Sequence, residues 1–302
     1  MKNKINEKRA LLFGLMAVLL WSTVATAFKI TLSQFTPIQM LTVASIVSAL
    51  VLLLIGYQQG KTALIYSTFR ANPRYFMLLG MINPLFYYLV LFKAYDLLPA
   101  SQAQALNYSW AITLTLMAAL FLGQVIRKQD YIAGAVCYLG VLVIATKGDV
   151  LQLKFESPLG VGLALFSTLL WAGYWILNTR NTADPVVSLL LGFLVALPCA
   201  CVLSLYEGAS WAAISLKGWL AVSYVGLFEM GITFCLWLGA LKMTENTARI
   251  SNLIFISPFI SLILLATIIG ETIHLSTLMG LGLILSGLVI QQLKPKKDPQ
   301  PK

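Results

Sequence analysis

KGWLAVSYVGLFEMGITFCLWLGALK, residues Lys217–Lys242, decides how the chain is read. Between its two end lysines lie 24 residues, and only one, Glu229, carries a charge. A helix rises about 1.5 Å per residue, so roughly 20 residues cross the ~30 Å hydrocarbon core of a bilayer. The stretch therefore reads as a transmembrane helix with a carboxyl group near its middle. On insertion scales an acid at that depth costs roughly 2.5–3.5 kcal/mol, so it faces a cavity or a partner rather than lipid. Glu229 is the first candidate for function, as a ligand for a substrate's ammonium group or as a group that exchanges a proton during a cycle.

The rest of the chain fits this reading. Of its 302 residues 59% are hydrophobic and 11% charged, with a mean hydropathy of +0.84. A soluble domain carries about 25% charged residues, so there is too little charge here to cover a water-facing surface. The net charge of +10 does not point to nucleic acid, because the cations flank apolar runs instead of forming one solvated face. Cys137, Cys199, Cys201 and Cys235 all lie in apolar stretches, where thiols behave as small hydrophobes; neither a disulfide framework nor a metal site is expected. His274 is the only histidine. No HExxH, GxSxG or GxxxxGK[ST] motif occurs, so no enzymatic activity and no cofactor are expected, and energy for any work comes from a gradient.

Ten apolar segments follow one another at about 10–32, 37–56, 75–95, 99–122, 130–147, 157–178, 186–206, 218–241, 247–269 and 273–293. The first is too long for a signal peptide and reads as a permanent span. Residues 294–302 form a basic, proline-rich tail expected to be disordered. Of the 21 lysines and arginines, three (Lys147, Lys154 and Lys217) fall in loops on the side opposite the N-terminus, and two (Lys29 and Lys93) fall inside spans. The other sixteen lie on the N-terminal side, which the positive-inside rule makes cytoplasmic, with both termini there.

The chain also repeats itself. LLWS at 19–22 recurs as LLWA at 169–172, and residues 91–124 align with 237–271, which places Asn83 opposite Glu229 and Gly123–Gln124 opposite Gly270–Glu271. Each half, 1–147 and 157–293, holds five spans. Five is odd, so the second half enters the membrane from the other side: an all-α protein of ten helices in two inverted five-helix repeats, the plan from which many secondary transporters build a midplane site.

Helical spacing selects the polar and aromatic candidates. Thr233 and Trp237 follow Glu229 at i+4 and i+8. Asn83 and Tyr87 share a face beside Pro84, which should bend the third span; Pro198 and Pro258 are further candidates for bends. Span one carries Ser22, Thr26 and Lys29. Lys29 and Lys93 read as snorkelling to headgroups, and Arg249 as an anchor at a span end. Span four carries Gln104, Asn107 and Tyr108, and span nine Asn252. Tryptophans favour membrane interfaces, yet Trp21 and Trp171 fall near the middle of their spans. With Tyr174 and Trp175 they suggest a cavity lining with affinity for flat or cationic groups.

LLWS, WAGY in span six, ALKMTENTARISNLIFISPF and the closing IIGE resemble the EamA-type transporters of the drug/metabolite transporter superfamily, over essentially the whole chain. The resemblance implies ten spans in two inverted halves around a central cavity, and export of amino acids, other metabolites or drugs across a bacterial inner membrane. LNYSWA at 106–111 is similar to the LNYxWP motif of an aromatic amino-acid exporter branch, which implies roles for Asn107, Tyr108 and Trp110; Ala111 stands where that branch has proline. The expected function is secondary transport of amino acids or related small metabolites by alternating access, with the lipid bilayer and a small-molecule substrate as partners and the chain acting as a monomer or homodimer. Efflux of lipophilic cations is the alternative on the same scaffold, and a non-transporting membrane subunit or sensor is the alternative from another class.

Overall fold

The computed structural model describes residues 5–152, 155, 157–179, 181–245, 249, 250 and 252–293. Ten helices are long and apolar enough to cross a membrane. They are α1 (Glu7–Leu32), α2 (Pro37–Gln58), α3 (Pro73–Leu97), α4 (Ala100–Leu122), α5 (Lys128–Ala145), α6 (Pro158–Asn178), α7 (Pro185–Glu207), α8 (Leu216–Met243), α9 (Asn252–Ile269) and α10 (Leu275–Gln292). No strand occurs among the described residues. One further helix, Thr62–Ala71, has no buried residue; it is too short to span and lay hidden in what the sequence reads as a loop. The tail expected to be disordered lies outside the described residues, as do several of the cations used to orient the chain.

Local chemistry sets the helix ends. Thr36 caps α2 with a reciprocal capping box to Gln39, and Pro37 opens the first turn. Ser157 and Asp184 cap α6 and α7 ahead of Pro158 and Pro185. A side-chain oxygen satisfies an orphan N–H there, and proline has none to lose. Gly123 and Gly270, at matching places in the two halves, end α4 and α9 in the left-handed region (φ 65° and 74°), which glycine adopts without a steric penalty.

Successive helices run antiparallel through short connections, so the beginning of α1 and the end of α10 lie on one face, here the terminal face. Cross-links agree: Asn6 N donates to Met243 O (2.9 Å) and Arg127 Nη2 to Gln291 O (3.0 Å) on the terminal face, while Ser215 N donates to Gln34 Oε1 (2.8 Å) on the far face. In the interior α1 packs on α8 and α9, α6 on α3 and α4, α2 on α8, α7 on α3, α2 on α7, and α5 on α10. Exchanging every helix for the one five places along leaves this set of pairs unchanged. Two glycines at equivalent places show why the contacts are close. A Cβ on Gly80 would sit 2.7 Å from the Gly192 carbonyl oxygen, and one on Gly226 would sit 2.6 Å from that of Ala44. Between apolar helices in lipid, association rests on such close backbone approach rather than on expulsion of water.

Two charges near the far face have partners that the sequence did not foretell. Lys29 Nζ donates to the carbonyls of Tyr95 and Leu98, 3.2 Å each, at the end of α3. Glu271 accepts from the backbone N–H groups of Ala100 (3.0 Å) and Ser101 (2.9 Å), which open α4. The turn between α3 and α4 is thus held by a cation at a helix C-terminus and an anion at a helix N-terminus, both in the sense that the helix dipole favours. Lys93 is paired with Asp96 at 2.6 Å. On the terminal face Lys61 meets Asp184 at 2.6 Å. Burial pushes the Asp184 carboxyl up, but Lys61 and the N–H groups of Val187 and Val186 outweigh it and hold the group below the usual aspartate range.

Two outcomes follow for stability. Glu271→Gln keeps the shape of the side chain but leaves one of its two N–H donors without an acceptor, so detergent-purified protein should lose about 1–2 kcal/mol and melt a few degrees lower. Because the folded-state pKa of Asp184 is depressed, its contribution is complete above the unfolded value of about 3.9 and disappears as pH falls through the lower folded value. Melting curves of wild type and Asp184→Asn should therefore differ at neutral pH and converge in acid below that point.

Candidate functional site

Continuous helices satisfy their own backbone, so the places where spans break mark where something else must do so. In α3 the helix gives way at Met81–Phe86, where Asn83 adopts extended angles (φ −141°, ψ 120°) and its bond to Pro84 is cis. In α4 the helix stops at Asn107 and resumes at Trp110. The helix therefore breaks here without a proline at 111; Ser109 Oγ donates to Leu106 O at 2.8 Å. In α8 a π-helical turn runs Val225–Ile232. In α9 a 3-10 segment, Asn252–Ile256, precedes a regular helix beginning at Ser257–Pro258. Pro198, by contrast, lies within a continuous α7.

These breaks surround a cavity of about 440 Å³ between α1, α3, α4, α6, α8, α9 and α10. Glu229 lines it, with its Oε1 accepting from Tyr88 Oη at 3.2 Å. One wall is aromatic: Tyr87 stacks on Trp171 (centroids 4.7 Å, 29°), Trp171 stacks on Tyr174 (5.7 Å, 24°), and Trp110 and Trp175 meet Trp171 edge-on. Beside it, Trp21 packs edge-on against Phe234 and Trp237 (5.6 and 5.3 Å). The two mid-span tryptophans therefore belong to one aromatic lining, joined through Phe234, which also meets the Trp171 ring at 6.2 Å. Amides supply the remaining polarity. Asn107 Nδ2 donates to Ser167 Oγ at 3.0 Å, whereas Gln104 Oε1 and Trp175 Nε1 are buried with no hydrogen-bond partner among the described residues.

The hollow is asymmetric along the membrane normal. It reaches the surface on the terminal face beside Gln292, which is exposed. Toward the far face it ends on Phe28, Leu91 and Tyr95, all under 5% exposed. Above that floor sits the α3–α4 turn gripped by Lys29 and Glu271.

Of the candidates read from the sequence, Trp21, Tyr87, Gln104, Asn107, Tyr108, Trp110, Trp171, Trp175, Glu229 and Trp237 line this cavity. The others do not. Ser22 is fully buried and donates to Val18 O at 2.7 Å. Thr26 is buried on the same helix, out of the lining. Asn83 and Tyr174 belong to a narrow slit behind Phe234. Asn252 is exposed at the start of α9. Thr233 is completely buried, and Phe234 takes the place expected for it. The cause is the π turn: its i→i+5 bonding widens the helix, so the residue five positions after Glu229 shares its side instead of the one four after. Uniform 3.6-residue spacing also missed Phe28, Tyr95, Ser257, Gln291 and the whole contribution of α10. Gln291–Gln292, two amides closing an apolar span, were the available signal. Gln291 also bonds Thr115 across to α4. No group of three or more His, Cys, Asp or Glu side chains that could hold a metal occurs among the described residues.

The EamA-like transporter family model matches residues 8–146 and again 158–291, nearly the whole chain in two copies. The chain belongs to the EamA-like transporter family. An uncharacterized transporter of Clostridium kluyveri is 22% identical over 297 residues, covering 96% of this chain and 95% of its own. The aromatic amino acid exporter YddG of Ancylobacter novellus is 25% identical over 266 residues, covering 86% and 89%. A crystal structure superposes with a TM-score of 0.65 at 20% identity, covering 95% of this chain and 97% of that one; the likeness is one of fold. In this EamA-like chain the shifted register makes a specific claim. Phe234→Ala removes a ring from the cavity wall and should raise the KM for the transported solute about tenfold or more, while Thr233→Val should leave uptake kinetics in proteoliposomes within twofold.

Proposed function

We propose that this chain is a secondary transporter that moves small amine-bearing organic solutes, amino acids or related metabolites, outward across a bacterial inner membrane by alternating access. The observation that carries the proposal is the cavity itself: a hollow reaching membrane depth, open at one face and sealed at the other, with one carboxylate among aromatic walls. The family is one of transporters, and a relative named as an aromatic amino acid exporter supports export of amino-acid-like solutes. The positive-inside bias of the sequence supports a cytoplasmic terminal face, and the open end would then receive solute from inside the cell. Two inverted halves, residues 1–147 and 157–293, are supported by the helix pairing that survives exchange of the halves and by the twofold family match. Alternation would then seal the terminal face and release the far one.

In this cycle Glu229 holds the solute's ammonium group or trades it for a proton. The rings of Trp21, Tyr87 and Trp171 hold the apolar body, and Gln104 and Asn107 orient it. A second reading, efflux of lipophilic cations, draws on the same combination of aromatic faces and one acid. Transport by the purified protein in proteoliposomes tests the role of the acid. Removing one partner of a desolvated charge pair costs about 2–5 kcal/mol, so Glu229→Gln should lower the transport rate of a cationic solute by more than tenfold. Wild-type rates and an unchanged pH profile would take Glu229 out of the mechanism.

A further inference from the structure

A second hollow lies on the other side of the buried floor. It is a cleft of about 430 Å³ whose lining includes Lys29, Ser33, Gln34, Asp96, Lys217 and Ile268. It opens at the far face, where Ser33, Asp96 and Lys217 are exposed. Two cations, an acid and two neutral polar side chains make it a space that water wets.

Little separates the cleft from the cavity that holds Glu229. In α1 Phe28 lines the cavity and the next residue, Lys29, lines the cleft. In α3 Tyr95 lines the cavity and the next residue, Asp96, lines the cleft. Between the two spaces stands a small group of rings. Phe28 meets Tyr95 edge-on (5.1 Å, 87°) and Phe92 likewise (4.9 Å, 73°).

These rings are not held by packing alone. Lys29 Nζ bonds the carbonyl of Tyr95, the residue whose ring meets Phe28, and that of Leu98. Glu271 bonds the N–H groups of Ala100 and Ser101 in the same turn. Lys29 lines the wet cleft and Glu271 is partly exposed. When the turn moves, water can therefore replace the lost partners, and no polar group is left orphaned. The same rupture at mid-membrane would cost the full desolvation of each group. The floor is thus built to part at this turn.

We propose that the far-face cleft is the exit vestibule of the transport path, and that the Phe28–Tyr95 pair is its gate, latched shut by Lys29 and Glu271. The assignment rests on the proposed transport function and adds to it the route by which solute leaves. Lys29 comes from the first half of the chain and Glu271 from the second, so a shift of the halves breaks both grips on one turn.

Thiol labelling in sealed membrane vesicles tests the gate, using the full chain with its four cysteines replaced by alanine. Ser33→Cys, in the cleft, marks the far side for an impermeant reagent. Ala111→Cys, in the cavity wall, should react readily from the terminal side and at least about tenfold more slowly from the far side. Adding Glu271→Gln should raise the far-side rate about tenfold, the factor that one unpaired N–H is worth. Phe28→Ala, which leaves all four bonds in place, should raise it as well. Far-side rates unchanged by both substitutions, with transport intact, would overturn the gate and leave the transport reading standing. Tyrosine counterflow in proteoliposomes tests the vestibule. A bulky maleimide adduct on Ser33→Cys should slow exchange at least about tenfold, and a methylthio adduct should leave it within about twofold. Equal rates with the two adducts would overturn the vestibule. No exchange of tyrosine, of other amino acids or of lipophilic cations by the unlabelled protein would remove the transport reading and the vestibule with it.

Discussion

Within a bilayer each backbone N–H and C=O must find its partner inside the protein. Nearly every feature of this chain can be traced to that demand. It makes the body ten helices, and it confines broken backbone to places where side chains or a cavity provide substitutes. Asn83–Pro84 in α3, Tyr108–Ser109 in α4, the π turn of α8 and the 3-10 turn of α9 are such places, and they cluster around Glu229. The candidate site is thus built from the structure's exceptions to helical regularity.

The same demand explains the seal at the far face. The turn between α3 and α4 brings the end of one helix beside the start of another, exposing carbonyls and N–H groups at the cavity's floor. Lys29, from the first half of the chain, takes the carbonyls; Glu271, from the second half, takes the N–H groups. One turn is therefore closed by charges from both halves, so a movement of one half against the other acts directly on it. At the terminal face, where the hollow opens, Gln292 is exposed at its rim.

Inside, one acidic side chain is set against a large aromatic surface, and the pairing is economical. Aromatic faces hold flat and cationic bodies without requiring fixed counter-charges, so few desolvated ions are needed. Glu229, with Tyr88 donating to it, is the one acidic side chain in the described lining, and the amides of Gln104 and Asn107 lie in the same lining. Trp21 and Trp171, at repeat-equivalent positions, both enter the lining and are joined through Phe234.

Much of this was legible in the chain alone, and the division follows from the range of the forces. A span's existence depends on its own run of apolar residues against a fixed membrane thickness, which is local information. The ten spans, the duplication, the depth of Glu229 and the anomaly of two mid-span tryptophans were therefore determined by sequence. The lining was legible only in part, because it depends on how each helix is rotated, and a single irregular turn resets that rotation: the π turn in α8 hides Thr233 and presents Phe234. Lys29 and Glu271 were invisible as a pair, because their partners are backbone atoms of a turn about 66 to 171 positions away, and backbone carries no residue-specific signal. Which end is open, and what closes the other, were decided only by the tertiary structure, since a cavity is a relation among helices that no one helix contains.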